Sequence, residues 1–234
     1  METVTGYYQR RDKILEALLS KTPKVLSDLG LNKIVLTPSV SNWLTANGMT
    51  LKREEALVYA NYLNDALHWF EEFQRVPVTA DVVHQIVETL IQQDMNDVAR
   101  QTIKCRGGCS SCCYIKVSAT EEEGRILARL LPPGGVEKIT KQAEARTLAE
   151  WQALSDDDAA CVFLDRFSGR CTVYEHRPSV CRLAYSLTGP TTCGRKPQGQ
   201  NKAMVWYRAE AAVAAYLSLR KVGGMANMIL EGLE

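Results

Sequence analysis

The chain has 234 residues, 46% of them apolar and 24% charged, with a formal net charge of +1. That balance excludes general disorder and lacks the basic excess of a nucleic-acid-binding domain, and no apolar run approaches the roughly 18 to 20 residues that span a bilayer. Met1 to Arg11 has neither the apolar stretch nor the small-residue cleavage site of a secretory signal, so a cytoplasmic protein with no membrane partner is expected.

The first hundred residues read as helices. Tyr8 to Leu19 and Ser39 to Ala46 suit short ones, separated by Pro23, Gly30 and Pro38. From Lys52 to Gln74, Ala56, Tyr59, Leu63, Leu67, Phe70 and Phe73 recur in steps of three and four and so share one helical face. Asp81 to Gln101 repeats the pattern with Val83, Ile86, Val87, Leu90, Ile91 and Val98, and Thr79 is placed as its N-cap. Trp43, Trp69, Phe70 and Phe73 sit at helical spacing and are expected in the core. His68 and His84 lie on these amphipathic helices, where a surface or core-edge position outweighs a ligand role.

Further along, Tyr114 to Val117 reads as a short strand. Thr120 with Glu123 forms a capping box that opens a helix carrying Ile126, Leu127, Leu130 and Leu131. Another amphipathic helix is expected from Val136 to Leu154. Cys161 to Asp165 and Arg170 to Tyr174 suit a small hairpin turning at Phe167-Ser168-Gly169, with one cysteine on each arm. A last long helix is expected from Lys202 to Arg220, broken by Gly223-Gly224.

All eight cysteines fall between Cys105 and Cys193. In a reducing compartment, close thiols serve as metal ligands or redox groups more often than as disulfides. The dense block is Cys105-Arg106-Gly107-Gly108-Cys109-Ser110-Ser111-Cys112-Cys113. Soft sulfur donors suit zinc or iron, a two-residue gap lets one turn present two thiols, and Gly107 and Gly108 permit positive φ. Adjacent Cys112 and Cys113 point apart in an extended chain, so one of them serves a second metal or stays free. Cys161, Cys171, Cys181 and Cys193 form a dispersed second set, joined by His176 as the one histidine entertained as a ligand. Residues 1–100 carry a net charge of −3 and residues 101–234 one of +4, and ten Lys or Arg against three acids lie between Cys161 and Lys221. Positive charge there offsets thiolates, and Arg177 and Arg182, flanking Cys181, are placed to donate to bound sulfur.

The order Cys105-x3-Cys109-x2-Cys112-Cys113, then Cys161-Val-Phe-Leu-Asp, then Val173-Tyr174-Glu175-His176-Arg177-Pro178-Ser179-Val180-Cys181-Arg182 resembles a cysteine-cluster family described as a zinc- or iron-chelating domain, also called YkgJ-like. The resemblance runs from about Cys105 to Cys193 and implies that the cysteines hold zinc or an iron-sulfur cluster. All-sulfur donors favour the cluster. The flagellin lysine methylase type is similar in cysteine pattern and implies an alternative, an iron-sulfur methyltransferase using S-adenosylmethionine. Cys105-x3-Cys109-x2-Cys112 also has the spacing of radical S-adenosylmethionine enzymes, but Ser111 stands where those place an aromatic, and the rest of the chain is too short and too helical for their barrel.

The fold expected is thus mainly α with a small β-hairpin: a helical region over 1–103, a metal-binding cysteine-cluster domain over 104–200, and a C-terminal helix in 201–234 packing on either. The metal has a structural or redox role, and in a third reading zinc stabilises an interaction module whose helical region docks a protein partner.

Overall fold

The computed structural model describes residues 4–20, 23–37, 40, 51–195 and 202–234. The helix expected at Ser39 to Ala46 lies outside them except for Val40, and Trp43 lies outside them too. In chain order the helices are α1 (Val4–Leu19), α2 (Pro23–Asp28), α3 (Arg53–Arg75), α4 (Ala80–Asp94), α5 (Asp97–Thr102) and α6 (Glu121–Ala128). They continue with α7 (Gly135–Glu144), α8 (Leu148–Ala153), α9 (Asp156–Ala159), α10 (Ser179–Arg182), α11 (Tyr207–Ser218) and α12 (Met225–Glu231). Among the described residues, four short strands, β1 (Ser118–Thr120), β2 (Leu164–Asp165), β3 (Arg170–Cys171) and β4 (Val222–Gly224), form two antiparallel pairs, β1 with β4 and β2 with β3. No described helix is long and apolar enough to cross a membrane.

The chain divides into two compact units. The helical unit takes in Met1–Val78, Gln85–Ile91 and Val205–Leu219. Here α1 and α11 both pack on α3. The expected face of α3 is buried at Ala56, Tyr59, Leu63, Leu67, Phe70 and Phe73. Every residue of α11 from Ala209 to Leu217 is buried, and its alanines let the helices approach closely. Asn64, itself buried, accepts from Arg10 Nε at 2.7 Å and donates to the Tyr7 carbonyl at 3.2 Å, which ties α1 to α3.

The cysteine unit takes in Thr79–His84, Gln92–Met204 and Arg220–Glu234. Its apolar core is Ala119, Leu127, Ala128, Ile139, Phe163, Met225, Ala226, Met228 and Ile229, drawn from β1, α6, α7, the approach to β2, and α12. Cys161 and Cys171 border that core, half-buried.

Two long helices expected from periodicity are each broken. Asp81 to Gln101 stops at Asp94 because Asn96 takes extended dihedrals and its side chain accepts from Ala99 N, capping α5. Val98 is 73% exposed as a result of the new helical phase. Val136 to Leu154 stops at Glu144 because Thr147 and Glu150 form a capping box for α8. The strand expected at Tyr114 to Val117 is displaced to β1, and Ser111–Tyr114 forms a 3-10 turn instead. Gly223-Gly224, read as a break, belongs to β4, with Gly224 opposite Ser118 and Gly223 opposite Ala119.

Candidate metal centre

The block from Cys105 to Cys113 folds into consecutive tight turns, with Cys109 N bonded to the Arg106 carbonyl at 3.0 Å and Cys113 N to the Ser110 carbonyl at 2.8 Å. Gly108 takes φ 83°, as its place in the turn requires, and meets Gly169 (φ 68°) at the hairpin tip, where a Cβ would strike the Gly108 carbonyl. Three more contacts gather the dispersed cysteines around the block. Cys161 N donates to the Cys113 carbonyl at 2.7 Å, Lys104 N donates to the Ser186 carbonyl at 2.8 Å, and a Cβ at Gly194, next to Cys193, would lie 3.0 Å from the Ser111 carbonyl. Only Cys171 of the two hairpin cysteines lies in a strand, opposite Leu164, while Cys161 precedes β2.

All eight cysteines are free thiols, Cys112 exposed and the others half-buried. Backbone amides point at four sulfurs, one of them Cys112, which is faced by its own N–H. Ser186 N–H donates to Cys105 Sγ at 3.2 Å, Phe163 N–H to Cys161, and Val173 N–H to Cys171, each favouring the thiolate. Against this, burial raises the thiols of Cys105, Cys171 and Cys181, and takes Cys161 up to about 11. Neighbouring thiols add to the rise: Cys109, Cys112 and Cys193 act on Cys105, Cys112 and Cys161 on Cys181, and Cys112 and Cys171 on Cys161. Two neighbourhoods therefore meet at Cys112, one holding Cys105, Cys109 and Cys193, the other Cys113, Cys161, Cys171 and Cys181. Cys112 and Cys113 do not point apart, because they share the 3-10 turn and hydrogen-bond to each other, which lowers Cys112 and raises Cys113.

As they stand, no three His, Cys, Asp or Glu side chains among the described residues converge closely enough to hold an ion. The donor set nevertheless fits a soft cation in kind and in neighbourhood: all eight donors are sulfur, main-chain contacts bring the hairpin and the Ser186–Gly194 segment to the dense block, and amide donors already face four of the sulfurs.

The arginines are placed differently from one another. Arg182, 4% exposed, donates through Nε to the Arg177 carbonyl at 3.2 Å and through Nη2 to the Glu175 carbonyl, bracing the turn before α10. The Arg177 guanidinium stacks 4.0 Å from the centroid of Tyr174, and its charge favours thiolate at Cys112, Cys171 and Cys181. His176 is exposed in a 3-10 turn. Glu123 caps α6 as the Thr120–Glu123 spacing predicts, and it has two further partners that no local spacing signals. Glu123 Oε1 accepts from Ser179 N at 2.7 Å, Ser179 Oγ at 2.6 Å and His84 Nε2 at 3.1 Å. Burial pushes this carboxyl up, but donation from His84, Ser179 and Thr120 wins and holds it below its usual range. His84 is accordingly buried, where a surface or core-edge position was expected.

Residues 104–208 match the family model CxxCxxCC, described as "Putative zinc- or iron-chelating domain". No curated protein and no solved structure matches the chain. The cysteine sequence and the matched model agree in marking residues 104–208 as a cysteine-cluster domain similar to those described as zinc- or iron-chelating.

Proposed function

We propose that the cysteine unit holds an iron-sulfur cluster, or zinc in its place, as an internal cross-link, with ligands drawn from Cys105, Cys109, Cys112, Cys113, Cys161, Cys171, Cys181 and Cys193. The observation that carries this reading is the set of amide donors on Cys105, Cys161 and Cys171, sulfurs from the dense block and from the distant hairpin, each faced by an N–H. Sulfur is the only donor type in the set, which suits iron-sulfur ligation over sites built with histidine or carboxylate. Arg177 supplies positive charge beside Cys112, Cys171 and Cys181, offsetting the negative charge of several thiolates. When bound, such a cluster supplies a redox couple as well as a cross-link. A cytoplasmic setting, where thiols stay reduced, suits both metals.

Anaerobic purification with metal analysis tests this. Brown protein containing iron and sulfide supports the cluster, and colourless protein with stoichiometric zinc supports the alternative. Protein with neither metal, and with no uptake on reconstitution, removes the reading.

A further inference from the structure

Glu123 gathers five hydrogen bonds in the cysteine unit while being 1% exposed. A buried carboxylate is costly unless its lone pairs are matched, and here the two oxygens are matched for separate ends. Oε2 accepts from Thr120 N at 2.8 Å and from Thr120 Oγ1 at 3.2 Å, which completes the cap of α6. Capping needs nothing more. Oε1 is free for another task and takes the amide and the hydroxyl of Ser179 together, with His84 Nε2 holding the same oxygen in place.

Ser179 opens α10, a helix of four residues, far too short to persist unaided. Cys181 is its third residue, its amide bonded to the Pro178 carbonyl at 2.9 Å. The height and rotation of this single turn, and with them the direction of the Cys181 side chain, follow from what grips Ser179 at one end and what Arg182 grips at the other. The geometry points to Glu123 as a positioning residue that sets Cys181 as a sulfur ligand of the metal centre. This rests on the metal-binding reading above and assigns Glu123 no contact with the metal.

The test compares full-length wild type, Glu123→Gln, Ser179→Ala, Cys181→Ala and the double variant Glu123→Gln/Cys181→Ala. Each is purified with its iron, or with zinc exchanged for cobalt(II). Two quantities are read: visible sulfur-to-metal absorption per chain, and the EDTA concentration that removes half the metal. Glu123→Gln is expected to lose absorption to the level of Cys181→Ala and to release metal at about tenfold to a hundredfold lower EDTA. The double variant should be no worse than Cys181→Ala, and Ser179→Ala, which keeps the amide bond, should lose less. A purely structural carboxylate would instead give losses that multiply in the double variant, and that result, or wild-type behaviour of Glu123→Gln, overturns the assignment. Where Glu123→Gln fails to fold by circular dichroism, Ser179→Ala combined with Cys181→Ala decides on the same criterion. A wild-type protein that binds neither iron, zinc nor cobalt removes the metal reading itself, and this assignment with it.

Discussion

The two units hold together by different means. In the helical unit, α3 runs for 23 residues and buries ten of them, and nine consecutive residues of α11 are buried. Long elements give periodic apolar faces, and apolar area removed from water does most of the work. In the cysteine unit, α5 and α8 have six residues each and α9 and α10 four, lengths at which an isolated helix does not form. Side chains that reach back to main chain fasten these pieces. Arg195, 8% exposed, donates to the carbonyls of Trp151, Leu154 and Ser155 and pairs with Asp156. Gln142 donates to the Asp158 and Ala160 carbonyls at 2.6 and 2.9 Å, and Trp151 Nε1 to the Tyr114 carbonyl at 3.0 Å. Where periodicity is too short to bury enough, directed polar contacts and sulfur ligands take over.

Removing the metal should break this symmetry most sharply. Structural metal sites contribute roughly 10 kcal/mol or more of folding free energy, comparable to a whole domain's stability. After chelation, hydrogen exchange should show amides of α6 and α12 unprotected while those of α3 and α11 keep their protection. Equal loss in both units would erase the distinction. Next in size is Ile14→Ala, at a fully buried position of α1. It should cost about 2 to 5 kcal/mol in urea unfolding of the helical unit, yet leave metal content unchanged.

A smaller effect isolates the polar fastening. Glu123 titrates below its ordinary value of 4.5. A depressed folded-state value means its contribution is fully present above that ordinary value and is lost as pH falls through the lowered one. In the metal-loaded protein, the advantage of wild type over Glu123→Gln in urea unfolding free energy of the cysteine unit should therefore shrink on acidification below pH 4.5, by about 1 to 3 kcal/mol. Smallest is Asn96→Ala, which removes the 2.9 Å bond to Ala99 N and should cost about 1 kcal/mol by thermal melting.

What was legible in the sequence follows the same division. The buried face of α3 and the caps at Thr79 and Thr120 could be read directly, because the residues that make them are three or four apart. The breaks at Asn96 and Thr147 were hidden because apolar residues continue through them at nearly helical spacing. The β1–β4 pair was hidden because strands of three residues show no alternation, and a Gly-Gly step resembles a stop. The cysteine block announced a metal site by spacing alone. The grip of Glu123 on Ser179 could not be read, because its donors come from residue 84 on one side and residue 179 on the other.

The pairing of Ser118 with Gly224 has a consequence for synthesis. The core is completed by Met225, Met228 and Ile229, which follow residue 208, where the family match ends. Ribosomes add about 5 to 20 residues per second, so the block from Cys105 to Cys113 spends on the order of ten seconds outside the tunnel before β4 and α12 arrive. During that interval the thiols meet solvent, oxidants and metal donors without the finished core around them. A gene fragment cut at residue 208 would hold the nascent chain permanently at that stage.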